Sequence, residues 1–270
     1  MEESKKYFEA NQQMWDDKTP IHAQSAFYDV ATFRQTHNSL NRIEQEDIGD
    51  VQGKSLLHLQ CHFGMDTLSW AKKGAHVVGV DFSQEATDLA TSLSNELGIP
   101  AQFICSNVLE LKDKIDQQFD IVFTSYGVIC WLPDLNLWAQ TIRQHLKPGG
   151  FFYIAETHPL IMSYDLDNYQ LKYSYFYQST PDEETIEGTY ADLDAPLKHT
   201  EYTWGHSLSE VINALINQGL QIDFLNEFPY YPYNCFPNMA ETSTGSGLWQ
   251  VKAWGNKIPH LFTLKATCPQ

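Results

Sequence analysis

The segment from residue 54 to residue 83 constrains the fold of this chain more than any other. An apolar run over 55–60 is followed by a turn and by a short helical pattern over 65–73. A second apolar run, 76–81, ends on Asp81. This order predicts a strand, a helix and a parallel strand, with an acidic side chain at the carboxyl end of the second strand.

The position of Asp81 favours a nucleoside site. Open α/β sheets bind ligands at the carboxyl ends of their strands, where a carboxylate can accept two hydrogen bonds from a ribose diol. The simpler alternative at this point is a strand–helix–strand unit whose acidic end has no ligand.

The turn after the first strand narrows the choice of nucleoside. A dinucleotide site requires glycine at several positions, because the pyrophosphate must approach bare backbone at the start of a helix. Here Gln60 and His62 stand in the turn, which ends at Gly64. The turn therefore disfavours NAD and FAD, whereas S-adenosylmethionine, which has no phosphate, tolerates side chains there.

Residues 53–157, with looser agreement over 207–267, resemble the class I S-adenosylmethionine-dependent methyltransferases. The matching motifs are 57–64, Asp81, 106–108, 119–125 and 146–150. More narrowly, 58–64 together with 130–134 is similar to a subgroup of largely uncharacterised bacterial methyltransferases. The chain departs from the family at His58, where an acid is usual, and at Gln60 and His62, where glycine is usual.

The resemblance implies a fold, a cofactor and a set of binding residues. The fold is α/β, with a doubly wound, seven-stranded Rossmann-like sheet, an antiparallel last strand and a small antiparallel β cap. The cofactor is S-adenosylmethionine, with Asp81 on the ribose and Asn107 and Val108 on the adenine. The predicted cofactor-binding residues are Gln60, Cys61, His62, Gly64, Asp81, Phe82, Asn107, Val108 and Ser125.

The chain divides into three predicted regions: an N-terminal helical lid (1–50), a core (51–157 and 207–270) and an inserted cap (158–206). In the lid, 5–17 and 40–48 have helical patterns. In the cap, the alternating Tyr173, Tyr175 and Tyr177, followed by the segments 189–192 and 201–204, predict an antiparallel meander. Residues 230–259 are predicted to form a long loop.

Two histidines are candidate general bases, because both lie where the cap should meet the sheet edge. His158 follows the fifth strand, beside Glu156 and Thr157, and His206 precedes the helix that opens at Ser207. For His206 a packing role at the helix entry is an equal alternative. Predicted substrate-binding residues are Tyr126, Trp131 and Trp204, for which core packing is the alternative, and His22 and Tyr28 of the lid, for which a surface helix pair without a catalytic part is an equal alternative.

Composition restricts the partners. The formal net charge of −17 opposes binding to nucleic acid phosphates and to anionic membranes. The five cysteines are dispersed without a C-x-x-C pair, and no cluster has metal-ligand spacing. We therefore expect a cytoplasmic protein that uses no metal and acts on a small-molecule methyl acceptor. The sequence does not indicate the oligomeric state.

The predicted function is methyl transfer from S-adenosylmethionine to a small molecule by in-line displacement. Two alternatives stay open at this stage. One is a degenerate fold that binds a nucleoside or another ligand without catalysis. The other is an enzyme that uses S-adenosylmethionine for a different reaction.

Overall fold

The computed structural model describes residues 2–270, with side chains from residue 5 onward. The helices are α1 (Glu2–Gln24), α2 (Val30–Thr36), α3 (Arg42–Ile48), α4 (Met65–Lys72), α5 (Gln84–Leu97), α6 (Leu135–His145), α7 (Pro159–Met162) and α8 (Leu208–Asn217). The strands are β1 (Ser55–Leu59), β2 (His76–Asp81), β3 (Gln102–Cys105), β4 (Phe119–Ser125), β5 (Leu146–Thr157), β6 (Tyr164–Asp165), β7 (Gln170–Leu171), β8 (Asp182–Glu187), β9 (Lys198–Thr203), β10 (Gln221–Phe228), β11 (Met239–Glu241), β12 (Trp249–Val251) and β13 (Leu261–Thr267).

Seven strands form one sheet in the order β10–β13–β5–β4–β1–β2–β3. The five strands from β3 to β5 are parallel, whereas β13 runs antiparallel to both β5 and β10. The predicted seven-stranded sheet with an antiparallel last strand is thus confirmed.

The core has two layers because successive side chains of a strand point to opposite faces of the sheet. Leu57 of β1 belongs to the cluster around Trp138 of α6, and Leu56 belongs to the cluster around Trp70 of α4. All four side chains are fully buried. Helices therefore cover both faces, which leaves the carboxyl edge of the parallel strands as the place where polar residues from β1, β2, β4 and β5 meet.

The first helix extends beyond its predicted range. The pattern indicated residues 5–17, but α1 continues to Gln24 with Pro20 inside it. Proline removes one backbone donor from a helix. The extension is stabilised by tertiary contacts, since Lys18 and His22 on its inner side are 4% and 0% exposed.

The predicted meander is wrong in its first strand, whereas its last segment, 201–204, overlaps β9. Tyr173 to Tyr177 have no strand conformation, and the hairpin is formed instead by β8 and β9, with β6 and β7 as a second short pair. The tyrosines contact separate partners: Tyr177 stacks on His206 at 5.4 Å, and the Tyr175 hydroxyl accepts from the Leu208 N–H at 3.3 Å. The small antiparallel cap itself is present.

The C-terminal loop also contains structure that the sequence did not predict. Residues 230–259 include the hairpin of β11 and β12, and Tyr231 bridges to Trp249 beside it. Over residues 2–270, no helix has the length and apolar character needed to cross a membrane.

Candidate active site

The turn between β1 and α4 forms one wall of the candidate site. Gln60 and His62 have φ angles of 56° and 49°. This left-handed conformation costs a non-glycine residue roughly 1–2 kcal/mol. At Gly64, with φ 76°, an added Cβ would lie 2.6 Å from the Phe103 ring. The chain therefore keeps glycine where there is no room for a side chain and has strained residues at the other two positions.

The side chains of Gln60 and His62 point to specific partners. Gln60 Nε2 donates to the Val128 carbonyl at 2.8 Å, and Gln60 Oε1 is buried with no hydrogen-bond partner among the described residues. His62 Nε2 lies 3.0 Å from His22 Nδ1. Burial lowers the pKa of His22 to about 3 and that of His62 well below its usual value. Both rings are therefore neutral, and the pair offers one free donor and one free acceptor nitrogen.

Asp81 lies at the carboxyl end of β2, as predicted, and is 7% exposed. Its Oδ2 accepts from the His62 N–H at 2.8 Å, and its Oδ1 accepts from the Ser83 N–H at 3.0 Å. Burial raises the pKa of Asp81 to about 6, although these two N–H groups oppose the shift. Each oxygen retains lone-pair capacity, so the carboxylate can accept one further hydrogen bond at each oxygen.

The segment after β3 places the predicted adenine residues at the start of a short 3₁₀ helix. Asn107 caps this helix, since its side-chain oxygen accepts from the Leu109 N–H at 3.0 Å. Val108 is 4% exposed. An acceptor oxygen with a second lone pair and the first N–H groups of a helix thus lie together there.

Two further predicted cofactor residues have structural contacts. The Phe82 carbonyl accepts from Gln12 Nε2 of α1 at 2.6 Å. Cys61 is 5% exposed, and burial raises the pKa of its thiol well above the usual value, so it is a neutral packing group.

Helix α1 closes over this edge of the sheet. Its Asp16 accepts from the Ser83 hydroxyl at 2.6 Å and from the Glu85 N–H at 3.2 Å. Trp15 lies edge-on to His62 at 5.2 Å and to Trp131 at 5.5 Å. The indole therefore separates the nucleoside side of the edge from the region beneath the cap.

The predicted substrate residues divide between these two sides. Tyr28 stacks on His22 at 5.2 Å, and its hydroxyl hydrogen-bonds with that of Tyr190. Tyr126, with φ 53°, donates its hydroxyl to Glu44 at 2.7 Å. Trp131 lies instead on the cap side of Trp15. The five predicted substrate-binding residues therefore do not line a single wall of the site.

A cavity of about 260 Å³ lies between the ends of β4 and β5 and the cap. Trp131, Trp204 and His206 line it. The Trp204 indole N–H is buried and has no partner within residues 5–270. The other aromatic lining residues are Tyr164, Tyr173, Tyr175 and Phe236, and the acidic ones are Glu156, Asp182, Glu184 and Glu201. None of the described lining residues is a lysine or arginine.

Glu156 anchors the loop that carries Trp131. Its carboxylate accepts from the N–H groups of Gly127 (2.5 Å), Thr157 (2.6 Å), Val128 (2.6 Å) and Ile129 (3.2 Å). Burial raises its pKa, and the four N–H groups oppose that shift. With its lone pairs occupied, Glu156 acts as a structural acceptor in this state and is not free to act as a base.

The two candidate bases have different surroundings. His158 Nε2 lies 2.9 Å from Glu227 Oε1 of β10, and its Nδ1 accepts from the Leu160 N–H at 3.1 Å. His206 lines the cavity, with Nε2 2.7 Å from the Leu132 carbonyl. Its Nδ1 lies 3.2 Å from Glu210 Oε1 without hydrogen-bond alignment. The structure thus brings His206, and not His158, to the cavity wall.

Sequence reasoning missed a pair of carboxyl groups beside the turn. Asp66 accepts from the Ser39 hydroxyl at 2.5 Å and the Ser125 hydroxyl at 3.3 Å. Glu44 is fully buried, and burial raises its pKa to about 8. The available signal was an acid two residues after Gly64. Within residues 5–270, no group of three or more potential metal ligands was found.

Comparison with known proteins identifies the class. Residues 57–154 match the family described as "Methyltransferase domain". A ubiquinone biosynthesis O-methyltransferase of Shewanella halifaxensis is 29% identical over 136 residues, which cover 49% of this chain and 57% of that protein. The chain thus spans about half the length of this relative.

Solved structures agree in fold. An S-adenosylmethionine-dependent methyltransferase from Clostridium acetobutylicum has a TM-score of 0.58 at 15% identity, with 94% of this chain and 96% of that chain covered. The glycopeptide N-methyltransferase MtfA in complex with S-adenosylmethionine has a TM-score of 0.52 at 16% identity, with 84% and 86% covered.

Residues 57–154 match a methyltransferase domain, in agreement with the predicted resemblance to the class I S-adenosylmethionine-dependent methyltransferases. The residues fit S-adenosylmethionine. Asp81 can accept two more hydrogen bonds, and the Gln60 Oε1 atom lacks a partner within the described chain. The free lone pairs of Asp81 suit the two hydroxyl groups of a ribose. The unpaired Gln60 Oε1 suits a hydrogen-bond donor on the amino acid tail.

Proposed function

We propose that this protein transfers a methyl group from S-adenosylmethionine to a small-molecule acceptor. The observation that carries the proposal is the aromatic cavity beneath the cap, which adjoins the nucleoside edge through Trp15 and Trp131. A methyltransferase domain supplies the donor on one side, and the cavity supplies a place for the acceptor on the other.

S-adenosylmethionine, when bound, would supply a methyl group activated by its bond to a positively charged sulfur; the acceptor's lone pair would form the new bond to carbon while the carbon–sulfur bond breaks and its electrons stay on sulfur. The protein then has to align the acceptor and exclude water. Trp15 and Trp131 form an aromatic boundary at the junction, and the Trp131 indole N–H is held by the Gly127 carbonyl at 2.8 Å. Aromatic faces are attracted to positive charge, so these rings suit a sulfonium.

The cavity favours a small, neutral or basic acceptor. Its volume of about 260 Å³ lies just below the range of roughly 300–1,000 Å³ typical of small-molecule sites. Carboxyl groups of Asp182, Glu184 and Glu201 contribute to its wall, and no described lining residue is cationic. Lys172 and Lys18, outside the lining, pair with Glu184 and Glu201, so a strongly anionic acceptor is disfavoured chiefly because no described lining residue is cationic. Trp131 and Trp204 are the proposed acceptor contacts, and His22, Tyr28 and Tyr126 are proposed to close the cofactor side.

His206 is the proposed general base where the acceptor must lose a proton, because it lies on the cavity wall. His158 is the weaker candidate, since its ring faces Glu227. The remaining proposed cofactor contacts are Gln60, Cys61, His62, Gly64, Phe82, Asn107, Val108 and Ser125. The proposal further includes a cytoplasmic location and the absence of nucleic acid and membrane partners, supported by the net charge of −17.

The test is formation of S-adenosylhomocysteine from S-adenosylmethionine in the presence of fractionated small metabolites, with mass spectrometry to find the product that is 14 Da heavier (about one CH₂). Asp81→Ala serves as the inactive control. Cofactor binding with no acceptor-dependent product would favour a non-catalytic binding protein. Consumption of the cofactor without a methylated product would indicate a different S-adenosylmethionine reaction.

A further inference from the structure

The carboxyl group of Asp66 has no cationic partner among the described residues. It lies in the first turn of α4, partly buried, and its two side-chain partners are the hydroxyl groups of Ser39 and Ser125. None of the ion pairs found over residues 5–270 includes it. Burial raises its pKa, which reflects the cost of leaving this carboxylate uncompensated.

The topology puts Asp66 between the two halves of the site. Strand β1 lies between β2, which carries Asp81, and β4, which ends at Ser125. The acceptor cavity begins two residues later, at Gly127. A cofactor with its ribose on Asp81 and its methyl group toward the cavity must cross the end of β1. Gln60, Ser125 and Asp66 lie at this crossing, and the Ser125 hydroxyl donates to Asp66 at 3.3 Å.

The acidic residue that the resembling family usually has in the first strand is missing from this chain. His58 stands at its position, 2% exposed, with Nδ1 2.8 Å from the Thr67 hydroxyl. Burial lowers the pKa of His58 to about 3, so the ring is neutral. A neutral ring that is hydrogen-bonded within the core cannot neutralise an ammonium group.

A second, independent feature is the orphaned acceptor at the end of β1. Gln60 Oε1 is buried and without a partner in the described chain, while its Nε2 is fixed on Val128. An ammonium group has three donors and no acceptor. The carboxylate of Asp66 in the first turn of α4 and the amide oxygen of Gln60, directly after β1, are the kinds of acceptor that it requires.

We propose that Asp66, assisted by Gln60 Oε1, binds the α-ammonium group of the methionine end of the cofactor and replaces the acid missing at His58. The proposal rests on the proposed use of S-adenosylmethionine. Glu44 does not take this role, because its side chain is fully buried at 0% exposure, whereas Asp66 is partly exposed at the end of the sheet. The Glu44 pKa of about 8 also leaves that carboxyl group mostly protonated at neutral pH.

The test compares two ligands by calorimetry. S-adenosylhomocysteine carries the amino acid tail, and 5′-methylthioadenosine has the same nucleoside and sulfur without the tail. Asp66→Asn should weaken S-adenosylhomocysteine binding at least about tenfold, the effect of a hydrogen bond to a charged group. It should leave 5′-methylthioadenosine within about twofold. Glu44→Gln, a neutral replacement of a carboxyl that is already mostly protonated, is the matched control and should leave the ratio of the two affinities unchanged.

Unaltered S-adenosylhomocysteine binding by Asp66→Asn would overturn the proposal. An equal loss for both ligands would also overturn it, because Asp66 would then only support the fold of the turn. If Asp66→Asn does not fold, Asp66→Glu keeps the charge and should retain the preference for the ligand with the tail, whereas Asp66→Ser should lose it. Wild-type protein that binds neither ligand would refute the proposed function itself, an outcome distinct from a failure confined to the tail.

Discussion

Asp81 gives the sharpest prediction about cofactor binding. We expect Asp81→Asn to weaken S-adenosylhomocysteine binding by about 1.5–3 kcal/mol, the range for a hydrogen bond to a charged group, or about 10- to 150-fold in Kd. This loss of affinity is expected because the Asp81 carboxylate has lone pairs left for the ribose. Two of its lone pairs are occupied by the His62 and Ser83 N–H groups, which leaves capacity at each oxygen for a ribose hydroxyl.

The same carboxyl group predicts a pH dependence. Its pKa in the free protein is about 6, and two hydroxyl donors stabilise the ionised form. Affinity should therefore be constant above pH 7 and fall as the pH drops through 6, to about one tenth at pH 5. In Asp81→Asn this part of the slope should disappear. His22 and His62 stay neutral over this window because burial lowers their pKa values far below it.

Calorimetric titration with S-adenosylhomocysteine at several pH values from 5 to 7.5 measures both effects. Asp120→Asn is the control, because Asp120 lies at the opposite edge of the sheet and is bonded to Ser55 and Lys147. Its pKa of about 2 keeps it ionised throughout the window. Equal affinity of Asp81→Asn and wild type, with circular dichroism showing an intact fold, would refute the ribose assignment.

Three further predictions concern other parts of the site. Asn107→Asp should keep S-adenosylhomocysteine affinity within about threefold, while Asn107→Leu should lower it and destabilise the protein by about 1 kcal/mol through loss of the cap, as calorimetry and urea unfolding would reveal. Similar behaviour of the two variants would place adenine elsewhere. Glu156→Gln should lower the free energy of unfolding by about 1–3 kcal/mol, because an amide cannot accept from four N–H groups, and an unchanged urea midpoint would contradict this. His206→Asn should reduce kcat with little change in cofactor Kd once an acceptor is known, and an unaltered kcat–pH profile would exclude it as the base.

The parallel core could be predicted from sequence because its signals are local. Apolar strands end at turn residues, and the helix capped by Ser83 begins where predicted, with the Ser83 hydroxyl accepting from the Ala86 N–H at 3.0 Å. Asp81 follows from the same logic, since the end of a parallel strand fixes where its side chain lies. These features require no knowledge of distant contacts.

The cap could not be predicted in the same way. Strand β8 has the sequence Asp-Glu-Glu-Thr-Ile-Glu, which is typical of an exposed turn, and it is a strand because it pairs with β9. The alternating tyrosines before it have separate contacts: Tyr173 donates to Glu184, Tyr175 accepts from the Leu208 N–H, and Tyr177 stacks on His206. Pairing across residues 182–203 and packing against α1 decided these conformations, and neither leaves a local pattern.

The roles of Glu44 and Asp66 could not be predicted from the sequence for a related reason. Glu44 lies in α3 and Asp66 in α4, and the hydroxyl groups on them come from Tyr126 and Ser125 at the end of β4. Their significance appears only when three distant segments meet. Glu156 could be placed at the site by its position, but its four N–H donors, and hence its structural role, depend on how the following loop folds over it.

The unusual turn at Gln60 and His62 has a physical explanation in the position of α1. A glycine at residue 62 would avoid roughly 1–2 kcal/mol of left-handed strain but would present no side chain to the helix. The imidazole of His62 instead contacts both Trp15 and His22 of α1, with ring centroids 5.2 and 5.3 Å away. Gln60 likewise ties the turn to the loop of Trp131 through Val128. The two departures from glycine thus join the nucleoside turn to the helix above it and to the acceptor loop beside it, which accounts for a strained turn that a free-standing nucleotide site would not need.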